Sequence, residues 1–157
     1  MIKACVFSDS HGTSKNMISA VELDHPDLVF FLGDGERDFR DLQERFPTLS
    51  YFAVCGNCDL GSGLGDLLVC TVGGVRILAV HGHRHRVKYE PGLETLAAAA
   101  KEAGVSLALF GHTHCQTLEC RDGVTLLNPG SAGWGTYPAY AVLFLENSCF
   151  RAELKAL

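Results

Sequence analysis

The stretch Leu67-Leu68-Val69-Cys70-Thr71-Val72-Gly73-Gly74-Val75-Arg76-Ile77-Leu78-Ala79-Val80-His81-Gly82-His83 decides how this chain is read. Leu67 to Thr71 and Val75 to Val80 are strand-like runs on either side of a Gly-Gly turn, the signal of a hairpin. Upstream, strands alternate with helices instead. Ile2-Lys3-Ala4-Cys5-Val6-Phe7, Leu28-Val29-Phe30-Phe31-Leu32 and Tyr51-Phe52-Ala53-Val54 are short apolar runs that predict buried strands. Between the first two, Thr13 or Ser14 caps a helix with Met17, Ile18 and Val21 on one face, ended before Pro26. Between the second and third, Phe39, Leu42 and Phe46 recur at helical spacing as far as Pro47.

Downstream of the hairpin, Leu93, Leu96, Ala97 and Ala100 form the stripe of a helix that Gly104 caps. Leu107-Ala108-Leu109-Phe110 predicts another buried strand. Thr117 to Cys120 and Val124 to Leu127 flank an Arg121-Asp122-Gly123 turn, and Ala139 to Leu145 with Cys149 to Leu154 make a last pair. About ten strands are too many for one compact sheet flanked by three helices. The expected architecture is therefore α/β, with two packed sheets and helices outside them.

Bulk properties set limits on this. At 157 residues the chain is read as one domain, residues 1–157, long enough to bury a core. The formal net charge of -5 and the lack of a basic stretch beyond His83-Arg84-His85-Arg86-Val87-Lys88 argue against a stable nucleic-acid complex. No apolar run approaches the roughly 20 residues of a membrane span. The leading strand also lacks the cleavage site of a signal peptide. The cysteines number seven and are scattered, which suits reduced thiols in a cytoplasm better than a disulfide framework.

Five polar clusters end the apolar runs: Asp9-Ser10-His11, Gly33-Asp34, Gly56-Asn57-Cys58-Asp59, His81-Gly82-His83 and Gly111-His112-Thr113-His114. In an α/β fold such loops carry the ligands. Carboxylates, an amide oxygen and imidazoles are the donors that hard to borderline divalent metals take, and there are more here than one tetrahedral ion uses. Each cluster has a bland reading by itself: Asp9 as a helix cap, Gly33-Asp34 as a turn, each histidine as a polar strand terminus. His85 is read that way outright. Three imidazoles and two carboxylates at successive strand ends make coincidence a poor account of the set, and a two-metal hydrolytic site follows. Asp34 is the candidate bridge between the ions.

A competing constellation is Cys55-Gly-Asn-Cys58, a C-x-x-C that a redox dithiol or structural zinc site would use. Against it, Cys55 ends an apolar strand and reads as a buried small hydrophobe, and Leu60-Gly61-Ser62-Gly63 follows where a redox motif opens a helix. Asn128-Pro129-Gly130-Ser131 reads first as a turn linking strands, with backbone N–H groups near a phosphate as the functional alternative. Trp134 and Tyr137 read either as a substrate-stacking rim or as a subunit contact of a homo-oligomer.

In order and spacing, Asp9-x-His11, Gly33-Asp34, Gly56-Asn57, His81-Gly82-His83 and Gly111-His112-x-His114 resemble the signature of the calcineurin-like metallophosphoesterases. With Asn128 to Ser131 they are similar to its small bacterial and archaeal phosphodiesterase branch. The resemblance spans Met1 to Ser131. It implies a four-layer α/β/β/α sandwich of two mixed sheets and a cytoplasmic hydrolase acting on small phosphodiesters. It also implies one ion on Asp9, His11, Asp34 and His114 and a second on Asp34, Asn57, His81 and His112. Mn²⁺ is the foremost candidate, with Ni²⁺, Fe, Zn²⁺ and Mg²⁺ as the others, and a bridging hydroxide would attack phosphorus.

One departure from the pattern matters. Many members carry His after Gly-Asn to assist the leaving group, and here Cys58 stands there. A thiol donates weakly and brings no positive charge, which favours leaving groups of low pKa. His83 is a candidate to compensate from the other side, and Asp59 is read as orienting a ligand histidine. Two alternatives accompany this reading: a phosphomonoesterase on the same site, and a non-catalytic interaction scaffold like a related eukaryotic trafficking subunit. That subunit's lineage has lost ligand histidines, whereas every ligand position is filled here.

Overall fold

The computed structural model describes every residue from Met1 to Leu157. Its elements are β1 (Ile2–Phe7), α1 (Lys15–Asp24), β2 (Leu28–Phe31), α2 (Glu36–Arg45), β3 (Ser50–Ala53), β4 (Leu67–Val72), β5 (Val75–Val80), α3 (Glu94–Glu102), β6 (Leu107–Leu109), β7 (Thr117–Arg121), β8 (Val124–Asn128), β9 (Ala139–Glu146) and β10 (Cys149–Ala156). They form two five-stranded sheets, ordered β10-β9-β1-β2-β3 and β4-β5-β6-β8-β7. Both are mixed. In the first, β1, β2 and β3 run parallel while β9 is antiparallel to β1. In the second, β5, β6 and β8 run parallel with antiparallel strands at both edges.

The four layers follow from side-chain alternation along the strands. On β1, Ala4 and Val6 face the space between the sheets, whereas Cys5 and Phe7 face α1 and α2. On β5, Ile77 and Ala79 enter the same central core, whereas Leu78 and Val80 pack against α3. Strands covered on both faces need apolar residues at every position, which explains the unbroken runs in the sequence. None of the three helices is long and apolar enough to cross a membrane.

Two local readings are corrected. Ser14 is the N-cap of α1, but its side chain makes no capping bond and instead donates from Oγ to Asp41 Oδ2 at 3.2 Å. Leu93 is not part of the α3 stripe; it precedes the helix in a left-handed conformation (φ 55°) and is buried there. The β9–β10 hairpin, whose sheet the sequence left open, returns to the first sheet, where Leu145 of β9 pairs with Ile2 of β1.

Candidate metal centre

The polar clusters meet where the C-terminal ends of β1, β2, β5 and β6 point the same way. Their loops are cross-linked by backbone bonds: Asp9 N to Gly33 O (2.9 Å), His11 N to Asp34 O (3.1 Å) and Gly111 N to His81 O (2.9 Å). Five candidate ligands, Asp9, His11, Asp34, His112 and His114, hold left-handed backbone at φ 46–69°. Such conformations are uncommon outside glycine and cluster where a site demands them. Two motif glycines have a steric reason to be there. A Cβ on Gly56 would lie 2.1 Å from Asp34 Oδ1, and one on Gly111 would lie 1.9 Å from Ser8 Oγ and 2.7 Å from Asp9 Oδ2.

Six of the predicted ligands converge. Asp9, His11 and His114 place their donor atoms within 4.8 Å of one another, as do Asp34, His81 and His112. Each carboxylate is split between support and site. Asp9 Oδ2 accepts from Ser8 Oγ and from the His112 amide, while Oδ1 stands 3.1 Å from His114 Nε2 and 3.5 Å from His11 Nε2. Asp34 Oδ1 accepts from the Cys58 amide at 2.8 Å, leaving Oδ2 3.3 Å from His81 Nε2 and 3.9 Å from His11 Nε2. His81 Nδ1 donates to Leu32 O at 2.7 Å, which turns Nε2 inward toward Asp34. Imidazole nitrogens face each other at 3.1 Å (His81 and His112) and 3.2 Å (His11 and His114). This donor set fits divalent metal ions.

Electrostatics keep the Asp34 carboxylate charged. Burial works to raise the Asp34 carboxyl, but hydrogen bonds from His81 and the Cys58 amide outweigh it and hold it below the usual carboxylate range. Burial likewise opposes protonation of His81, yet Asp34 and Asp9 beside it raise its pKa. His112 is pushed down to about 4, first by burial and then by repulsion from His81 and Lys88, so its ring is neutral near pH 7.

The remaining predicted residues stand differently. Asn57 is exposed, with its amide Nδ2 3.5 Å from the Cys58 sulfur. Cys58 is exposed too, and its sulfur lies within 4.8 Å of donor atoms of His11 and Asp34. Burial, then the charges of Asp34, Asp59 and Asp9, raise the thiol's pKa. His83 sits in a 3-10 turn with its ring 5.4 Å from that of His81; its Nδ1 is buried without a partner, and burial lowers its pKa. Asp59 does not orient a histidine. Its carboxylate accepts from the amides of Asp34 (2.7 Å), Gly35 (2.9 Å), Glu36 (3.0 Å) and Gly56 (2.7 Å), because three successive amides at the start of α2 have no other partners. Cys55 is only half-buried, and its thiol donates to Asp66 Oδ1 at 3.3 Å. All seven cysteines are free.

Asn128 and Ser131 do more than turn the chain. Asn128 Nδ2 donates to Gly111 O and Thr113 Oγ1, both at 3.0 Å, bracing the His112–His114 loop. Ser131 Oγ donates to Asp9 O at 2.7 Å and accepts from the Trp134 amide at 2.8 Å. Their complete burial is the property that linear sequence did not display. Trp134 lies flat against His11, with centroids 4.0 Å apart, and edge-on to His114. An open groove of about 730 Å³ leads from His11 and Asp34 past Cys58 and Leu60 to Arg37 and Arg40.

A fold of two mixed sheets with paired histidine–carboxylate clusters at its loop edge defines a class of metal-dependent phosphoesterases. Residues 2–148 match the calcineurin-like phosphoesterase superfamily domain, and the chain belongs to that family. It is 34% identical over 148 residues to a probable metallophosphoesterase, YsnB, of Bacillus subtilis, covering 90% of this chain and 83% of the relative. A predicted phosphoesterase of Streptococcus pneumoniae, of known crystal structure, superposes with a TM-score of 0.82 at 28% identity, over 99% of this chain and 89% of its own. Vacuolar protein sorting 29 of Cryptosporidium parvum shares the fold at 15% identity (TM-score 0.78, 99% and 97% covered). The fold therefore serves proteins of different kinds, and the activity has to be argued from the site.

Proposed function

We propose that the chain is a two-metal phosphodiesterase. Asp9, His11, Asp34 and His114 would hold one ion, and Asp34, Asn57, His81 and His112 the second, with Asp34 shared. The observation that carries this reading is the pair of three-donor groups, each within 4.8 Å, meeting across Asp9 Oδ1 and Asp34 Oδ2. Bound there, divalent ions, Mn²⁺ foremost, supply Lewis-acid polarisation of the phosphoryl group and acidify a water. The chain's own part is orientation. Ser8, the His112 amide and the Cys58 amide each fix one carboxylate oxygen, so the other stays turned inward without reorganisation.

Diesters are favoured over monoesters because the position flanking the site is a neutral thiol. Cys58 gives no second positive charge for a dianionic monoester and donates only weakly to a leaving alkoxide. His83 lies on the His81 side of the centre with a free ring nitrogen, in reach of a supporting role. Seven free thiols suit a reducing cytoplasm.

The test is release of nitrophenol from bis(p-nitrophenyl) phosphate by chelator-stripped protein, with and without Mn²⁺. Turnover restored by the ion is expected, and Asp9→Asn and His112→Ala, each folded by circular dichroism, are expected to lose it. Wild-type activity in either metal-loaded variant would overturn the assignment.

A further inference from the structure

The proposed function gives no metal to one donor atom at the centre, the Cys58 sulfur. Cys58 Sγ, a His11 ring nitrogen and an Asp34 carboxylate oxygen form a third group within 4.8 Å, and its sulfur is the only soft donor at the centre. We propose that Cys58, His11 and Asp34 form a thiophilic metal position, in which the thiolate binds ions such as Zn²⁺ or Cd²⁺ directly and which hard ions such as Mn²⁺ and Mg²⁺ do not use. The inference rests on the reading of His11 and Asp34 as metal ligands.

Three observations support it. The Cys58 amide donates to Asp34 Oδ1 at 2.8 Å, so the loop that carries the sulfur is fastened to one of its partner ligands. The residue is exposed, which gives ions a route to the sulfur. Its thiol meets the Asp34 carboxylate, one of the proposed partner ligands, and otherwise only the Asn57 amide at 3.5 Å. Donor atoms on one tetrahedral zinc stand roughly 3.3–3.8 Å apart, given bond lengths of about 2.0–2.3 Å. Atoms already within 4.8 Å can close on an ion by small side-chain rotations. One nitrogen, one oxygen and one sulfur leave a fourth position for water, a set that soft-to-borderline ions prefer. As the metal–sulfur bond forms, the thiol proton passes to solvent.

Occupancy would have a consequence for the reaction. An ion held by Cys58 takes His11 from Asp9 and His114, and it removes the thiol from the leaving group. Zn²⁺ then suppresses the Mn²⁺-supported hydrolysis rather than replacing it.

The experiment is a Co²⁺ titration of the metal-free protein, read as sulfur-to-cobalt charge-transfer absorption in the near ultraviolet, on wild type, Cys58→Ser and Cys55→Ser. Zn²⁺ and Mn²⁺ affinities are measured on the same proteins by calorimetry. The band is expected in wild type and Cys55→Ser and absent in Cys58→Ser, with Zn²⁺ affinity of Cys58→Ser lowered at least tenfold and Mn²⁺ affinity changed less than twofold. No band in wild type, a band that persists in Cys58→Ser, or equal losses for both ions would overturn the inference. Mn²⁺-dependent hydrolysis by wild type is the separate readout of the phosphodiesterase reading, and it can fail while the cobalt band stands.

Discussion

Cys58 stands beside two of the candidate ligands, and its position shows what one side chain controls. Its sulfur sits over His11 and Asp34, so a histidine introduced there would reach the same side of the scissile bond and could protonate a departing alkoxide. General acids contribute about 10²–10⁴-fold to such steps. Cys58→His is therefore expected to raise Mn²⁺-supported turnover of alkyl phosphodiesters by about 10²-fold. Nitrophenyl esters, which leave without help, should change little. Parallel kinetics on the two ester classes check this, and an equal change in both would mean that Cys58 does not face the leaving group.

At the scale of elements, the centre depends on loops that hold one another. The start of α2 presents three unpaired amides, and the loop after β3 sends Asp59 to take them along with the Gly56 amide. One carboxylate thus locks the loop after β2, which carries Asp34, to the loop that carries Asn57 and Cys58. Hydrogen bonds to a charged acceptor are worth about 1.5–3 kcal/mol each, and an Asn in this place would turn an N–H toward other N–H groups. Asp59→Asn is expected to lower stability by about 3 kcal/mol and to weaken Mn²⁺ binding at least tenfold. Asp59→Glu should fail to restore binding, because the longer side chain overshoots the amides. Denaturant melts and calorimetry give the two numbers, and unchanged Mn²⁺ affinity in a destabilised Asp59→Asn would make the residue a stability element only.

For the molecule as a whole, another carboxylate, this one buried, does the fastening. Asp24, at the end of α1, accepts from Tyr140 Oη at 2.6 Å and Lys155 Nζ at 2.7 Å and pairs with Lys3 at 3.0 Å, joining α1, β1, β9 and β10. Burial works to raise its pKa, yet the bonds from Lys155, Tyr140 and Lys3 hold it at about 2 against an ordinary 3.8. A carboxyl lowered on folding contributes stability that is complete above its unfolded pKa and is lost as pH falls through the folded one. Asp24→Asn is expected to cost about 3 kcal/mol at pH 7, since removing one partner strands the others. Thermal melts of both proteins should converge between about pH 4 and pH 2; a difference that persisted at pH 2 would assign the effect to packing instead.

Much of this was legible in the sequence, and the reasons are physical. Runs such as Ala4–Phe7 and Ile77–Val80 are apolar at every position because both strand faces are covered, and the donor residues stand at the strand ends. Side-chain contacts between distant loops were not legible. Nothing local marks Asp59 as a partner of α2 amides, or Asn128 and Ser131 as braces of histidine and aspartate loops, because those bonds exist only once the sheets have packed. The sheet to which the last hairpin belongs was equally hidden, since its alternation suits either.

That last pairing has a consequence for how the protein is made. β1 leaves the ribosome well before its partner β9, with Ile2 set against Leu145. At translation rates of roughly 5–20 residues per second, one edge of β1 waits on the order of ten seconds for its neighbour. The first sheet therefore closes only after β9 has been made, and through that interval the nascent chain carries an apolar strand with one unpaired edge.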